Sequence, residues 1–145
     1  MIYIIGNDGT PVRVDGVGNV DKNILLNSTK YNITTNTQVP ISKATLQQYS
    51  YILIEVEGYD ASGVNRTSRA TGYFKVSDLV EYNNANDYNS IPFYSRKYAL
   101  FGTMNFKIDT NNIIFSCEFA SPYGQTNLDA VANDQIYIAN IWGIK

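Results

Sequence analysis

The chain has 145 residues, enough for one domain whose hydrophobic core needs neither a metal nor a disulfide to hold it together. It contains no histidine and one cysteine, which excludes Ser-His-Asp and Cys-His catalysis, the commonest zinc ligand and any internal disulfide. Net charge is −2 with Lys and Arg scattered singly, so there is no basic footprint for nucleic acid or anionic lipid, and Tyr, Ile, Val, Thr and Asn dominate where helix builders would stand.

No stretch reaches the length of a membrane span, and MIYIIGNDG lacks the basic start and apolar run of a signal peptide, so a soluble chain without membrane insertion is expected. Residues 2–5 and 12–14 flank Gly6-Asn7-Asp8-Gly9, a β-hairpin pattern. The Asp15 to Asp21 loop has three oxygen-bearing side chains but neither the EF-hand order nor its closing Glu, so turn chemistry is the better reading and no metal site is expected. Residues 24–26 and 31–34 read as two short strands, and Pro40 marks a strand edge or start. Leu46 and Tyr49, following Ser42, predict one helical turn tucked under the next strand.

That strand, 51–57, is the centre of the pattern. Ile52, Ile54 and Val56 form one face; on the other, Tyr51 and Leu53 need a cover, while Glu55 and Glu57 are expected at a solvated end. Residues 70–76 alternate Gly72, Phe74 and Val76 against Thr71, Tyr73 and Lys75, and Ser77-Asp78 suits a brief turn. Segment 81–97, EYNNANDYNSIPFYSRK, is expected to be irregular and exposed. Tyr98, Leu100, Gly102, Met104, Phe106 and Ile108 then share a strand face, and the Asp109-Thr-Asn-Asn112 turn leads to Ile113, Phe115, Cys117 and Phe119, with Cys117 read as a buried small hydrophobe.

The final run, QIYIANIWGIK, places Ile136, Ile138 and Trp142 on one face and Tyr137, Ala139 and Ile141 on the other by strict alternation, so it should be central or at a subunit interface. Nine or ten short strands without a useful helix predict an all-β single domain, an antiparallel β-sandwich of jelly-roll type.

Chemistry is sparse. Glu55, Glu57, Glu81, Asp87, Glu118 and Asp129 are formal candidates for a carboxylate pair, but a solvated strand end explains the first two better, and no Gly-rich phosphate loop joins a strand to a helix. No enzyme activity and no cofactor are expected. The loops are more suggestive. Tyr82, Tyr88, Phe93, Tyr94 and Tyr123 are interleaved with Asn83, Asn84, Asn86, Asp87, Asn89 and Gln125, giving flat rings beside hydrogen-bonding groups, which suits sugars. Tyr82, Asn84, Asp87, Tyr88, Tyr94 and Tyr123 are the candidate ligand-binding residues.

Two segments carry a family resemblance. TQVPISKATLQQYSYILIEVE is similar to the part of bacteriophage tail-fibre C-terminal domains where a short turn and a tyrosine lead into an apolar strand ending in acidic residues, and QIYIANIWGIK resembles the ending of many such fibres. In outline the resemblance spans residues 20–145, with YFKVSDL and the paired strands around FGTMNFKIDTNNIIFSCEFA keeping the order of elements. It implies a virion receptor-binding tip that adheres to bacterial surface glycans, alongside other virion proteins, and a homotrimer with Tyr51, Leu53, Tyr137, Ile141 and Trp142 at the interface. Tail fibres usually carry a shaft before the tip. Here Met1 and a hairpin come first, so residues 1–20 read as an attachment element, and the chain as an excised tip or a short separate virion protein. The alternatives are a structural virion protein, such as a head fibre or capsid decoration subunit, and a polysaccharide-acting enzyme or its carbohydrate-binding module.

Overall fold

In the computed structural model, residues 2–5, 11–14, 22–32, 36–59, 64–95, 100–120 and 135–145 are described. Ten strands result: β1 Ile2–Ile5, β2 Pro11–Val14, β3 Lys22–Asn32, β4 Thr37–Val39, β5 Tyr51–Tyr59, β6 Arg66–Lys75, β7 Asn89–Ser95, β8 Leu100–Ile108, β9 Ile113–Ala120 and β10 Gln135–Ile144. β1 and β2 form the expected hairpin as a two-stranded sheet of their own. The other eight make two antiparallel four-stranded sheets, ordered β3-β10-β5-β6 and β4-β9-β8-β7. β3 pairs with β10 and β4 with β9, so the outer strands wrap in jelly-roll fashion, while β5-β6 and β7-β8 stay as hairpins within one sheet.

Alternation along the strands builds the space between the sheets. Ile52, Ile54 and Val56 of β5 meet Met104, Phe106 and Ile108 of β8, with Ile113 and Phe115 of β9 and Ile91 and Phe93 of β7, in one buried cluster. Phe106 lies edge-on to Phe74 at 5.0 Å and tilted against Phe115 at 5.3 Å, tying β6, β8 and β9 across the core.

β10 corrects the strict alternation read from the sequence. Its pairing with β5 runs in step from Gln135 to Ile138, then skips Ala139 and resumes with Asn140 opposite Glu55. One extra residue reverses which side chains point inward. Ile136 and Ile138 are buried before it, and Ile141 after it is fully buried, so the Ile141 side chain, expected on the outward face with Tyr137, belongs to the sandwich core. Trp142, expected to share a face with Ile136 and Ile138, instead stands opposite Leu53 on the outward face with Tyr137.

Other expectations shift similarly. Residues 24–26 and 31–32 belong to one strand, because β3 runs unbroken from Lys22 to Asn32 and absorbs the irregularity as register shifts against β10, while 33 and 34 of the second expected strand lie outside the described residues. Segment 81–97 is irregular and continuously exposed only as far as 88, and residues 96 and 97 lie outside the described residues. At Asn89 it becomes the edge strand β7, with Asn89, Ile91 and Phe93 buried and Pro92 facing out, where a missing N–H costs little. Phe93 therefore leaves the candidate surface; its ring covers Gly102, where a β-carbon would come within 2.4 Å of it. Cys117 is half-buried and packs against the core.

The helical turn forms over Lys43–Leu46, capped by Ser42, whose hydroxyl accepts from the Thr45 N–H at 3.1 Å. Leu46 is buried in the core. Tyr49 lies across Gly143, where any β-carbon would sit 2.5 Å from the ring, and its hydroxyl accepts from the Asn23 amide at 3.2 Å, so one side chain clips β3 and β10 together. At the β8-β9 turn, the Asp109 carboxylate accepts from the N–H groups of Asn111 at 2.8 Å and Asn112 at 2.6 Å. Desolvation works to raise the Asp109 pKa, but these donors and the Asn112 side chain outweigh it and hold the carboxyl below the usual range.

Two outcomes follow for stability, both measurable by urea unfolding. Ile141→Ala should cost roughly 2–5 kcal/mol, and clearly more than Trp142→Ala, if the inward turn after Ala139 is as described. Asp109→Ala should cost roughly 1 kcal/mol at neutral pH. Because the folded-state pKa is lowered, that contribution exists above the ordinary carboxylate pKa, and the gap between variant and parent should close as pH falls below about 4.

Candidate functional site

The outer surface of the second sheet holds the site. Glu81 bridges to Ile108 alongside β8, the Tyr82 N–H donates to the Ile108 carbonyl at 2.8 Å, and the Ile108 N–H donates to the Val80 carbonyl at 3.1 Å. From there the turn 82–88 runs over the sheet and re-enters it at Asn89. Asn89 is buried; its amide oxygen accepts from the Val80 N–H at 3.0 Å, and its NH₂ donates to the Phe106 carbonyl at 3.1 Å. A buried amide thus staples both ends of the turn to β8, because an unpaired polar group there would be costly.

Lys107 of β8 points out under this turn, opposite Ile114 of β9. The residue is only 6% exposed. Its ammonium donates to the Asn84 carbonyl and lies 4.0 Å from the centre of the Tyr88 ring, a cation–π contact. Around it, Asn36, Tyr82, Tyr88, Ile114 and Ser116 complete a depression of about 270 Å³. Asn36 reaches this rim from a left-handed backbone, φ 57°, which Asn tolerates better than most side chains.

The sequence candidates divide as follows. Tyr82, Asn84 and Tyr88 come together here, Tyr82 and Tyr88 with exposed rings and Asn84 through its carbonyl. Asp87 is exposed and turns its carboxylate onto the Tyr88 N–H at 2.9 Å, shaping the turn. Tyr94 is exposed on β7 but stands six residues further along the strand, about 20 Å from Tyr88, and does not share the depression. Tyr123 lies outside the described residues. Sequence reasoning missed Lys107, and it named Asn89 among the hydrogen-bonding loop groups where the structure makes it a buried anchor. Alternation did mark Lys107 as facing away from Phe106 and Ile108, but nothing in the pattern said that a turn from elsewhere would bury it.

A larger cleft of about 570 Å³ opens between the helical turn and the 3-10 turn Val76–Asp78, lined by Leu46, Tyr49, Tyr51, Lys75 and Leu79 among others. At its mouth Lys43 and Glu81 already neutralise each other at 2.5 Å.

The outward face of the first sheet is divided. At one end Glu55 accepts from Arg69 at 3.1 Å and from the Asn140 amide at 2.8 Å, and Glu57 accepts from Arg66 at 3.4 Å and from the Tyr59 hydroxyl at 2.7 Å. Their side chains are 15% and 13% exposed, so the solvated strand end expected for them is instead a largely covered ion-pair network. At the other end the register aligns Ile24, Trp142, Leu53 and Tyr73 in one apolar row across all four strands, and Tyr51 stacks on Tyr73 at 4.9 Å. Ile24 and Tyr73 remain more than half exposed, at 57% and 56%. Tyr51, Leu53, Tyr137 and Trp142 all stand on this face.

Asn89→Ala should lower stability by roughly 1–3 kcal/mol and, in hydrogen exchange, release protection at the Tyr82 and Ile108 amides first. Unchanged protection at both would mean the amide does not anchor the turn. Compared with protein-family models, curated proteins and solved structures, the chain matches none.

Proposed function

We propose that this domain is a non-catalytic binding module at the surface of a bacteriophage virion, a fibre-tip or receptor-binding protein that adheres to bacterial surface glycans and works as a homotrimer. The observation that carries the binding half is the depression in which Tyr82 and Tyr88 stand exposed beside Asn36, Ser116 and Lys107. A pyranose offers an apolar C–H face to a ring and hydroxyls to amides and hydroxyls, and this arrangement supplies both. The volume is just under the roughly 300 Å³ at which ligand clefts usually begin, which suits one sugar residue held weakly. Weak sites serve adhesion well when several copies act together. The virion assignment rests on the resemblance of the 37–57 and 135–145 segments to tail-fibre tips.

A second reading, a structural virion protein such as a head fibre or capsid decoration subunit, is favoured by the apolar row Ile24, Trp142, Leu53 and Tyr73, which suits assembly as well as it suits a trimer.

Adsorption to host cells or to a glycan array should fall at least tenfold in a Tyr82→Ala/Tyr88→Ala double variant that unfolds like the parent. Full binding by that variant moves the site elsewhere. Light scattering should give the mass of a trimer at micromolar concentration, and Leu53→Glu should shift it toward monomer, whereas a stable parent monomer removes the oligomer from the proposal.

A further inference from the structure

An ammonium taken out of water is costly unless charge or hydrogen bonds compensate it. Lys107 is 6% exposed, yet among the described residues its contacts are one carbonyl, that of Asn84, and the face of one ring, that of Tyr88. Both offer partial negative charge, and neither is a counter-ion. An ammonium has three donors, and one is used on Asn84. None of the other described side chains lining the depression, Asn36, Tyr82, Tyr88, Ile114 and Ser116, is a carboxylate. The nearby acidic groups are engaged elsewhere: Asp87 on its neighbour's N–H, Glu81 on Lys43. Three other described basic groups, Lys43, Arg66 and Arg69, each hold a carboxylate. Lys107 is therefore a covered positive charge with no counter-ion among the described residues, and it lines a small depression among hydroxyl and amide groups.

We infer that the depression takes an anionic sugar residue, one carrying a uronate carboxylate or a phosphate, with Lys107 as the group that pairs with the charge and Tyr82 and Tyr88 flanking the ring. This rests on the reading of the depression as a sugar site and narrows it. The ligand's anion supplies the missing counter-charge inside a partly dry site, where a charge-assisted hydrogen bond is stronger than at an open surface. A neutral sugar leaves the ammonium as it is and gains only the ring and hydroxyl contacts. Selectivity for acidic polymers then comes from one residue that the surface charge of the chain, slightly negative overall, does not advertise.

The test uses the purified full chain on an array of bacterial polysaccharides in three sets: uronate-containing, phosphate-containing and neutral. Each acidic polymer is also printed after carboxyl reduction or dephosphorylation. Binding should be confined to the acidic sets, and the arm that responds identifies the anion. It should fall at least tenfold when the same polymer is neutralised, an outcome that needs no protein variant and so no assumption about folding. Lys107→Met, which keeps the stem's packing, should reproduce that loss, and Lys107→Arg should restore part of it. Equal binding to neutral and acidic polymers that is still abolished by Tyr82→Ala/Tyr88→Ala overturns the anion inference and leaves the sugar site standing. Binding that survives the double tyrosine variant, or no binding to any set, overturns the sugar site itself.

Discussion

The structure depends on how β10 fits between β3 and β5. It is the only strand of its sheet with partners far away in sequence on both sides, and it joins the β5-β6 hairpin to β3. A strand in that position has no freedom of register, because a slip of one residue would exchange Ile138 and Ile141 for Tyr137 and Trp142 in the core. The unpaired Ala139 allows both halves of the strand to meet that demand. With it, the inward positions receive Ile136, Ile138 and Ile141, and a glycine falls where the Tyr49 ring needs room. The outward positions receive Tyr137, Asn140 and Trp142, which divides the outer face into a polar end built on Glu55 and an apolar end built on Leu53.

The second sheet meets a different constraint with a polar solution. Its outward positions on β8 include Asn105 and Lys107, both buried. The Asn105 amide oxygen accepts from the Ser90 hydroxyl at 2.8 Å, within the sheet. Lys107 is covered by the 82–88 turn, itself held by Asn89. On the first sheet and at the large cleft Glu55 pairs with Arg69, Glu57 with Arg66 and Lys43 with Glu81, and Lys75, which also lines the cleft, is exposed to water. A buried lysine with no counter-ion among the described residues, and not the size of a cavity, separates the Tyr82–Tyr88 depression from the large cleft.

Much of the fold was legible because its periodicity is local. Ile52-Ile54-Val56, Met104-Phe106-Ile108 and the Asp109 turn each announce themselves within a few residues, and Ser42 marks the helical turn. What was not legible depends on partners distant in sequence. The extra residue at Ala139 is invisible in QIYIANIWGIK, since either phase keeps apolar residues on both faces, and only β5 across the ladder decides. Glu55 and Glu57 read as solvated because Arg66, Arg69 and Asn140 come from other strands. In the site, Tyr82 and Tyr88 were found by their composition, whereas Lys107 was missed because its burial comes from a turn some twenty residues earlier, folded back over the sheet.

The position of β10 also orders events in time. Until the last strand in chain order is made, β3 and the outer side of β5 lack their shared neighbour, and each presents a row of unpaired backbone groups with apolar side chains beside it. Sheets closed by such distant pairings form slowly, and their waiting edges readily accept a wrong strand, including one from another copy of the same chain. The second sheet has β7-β8-β9 joined in succession, and its one distant pairing among the described residues is that of the short edge strand β4 with β9. The domain is thus closed by a late seam, and a chain stopped before Gln135 would lose both that seam and the Ile136, Ile138 and Ile141 side chains that β10 gives to the common core.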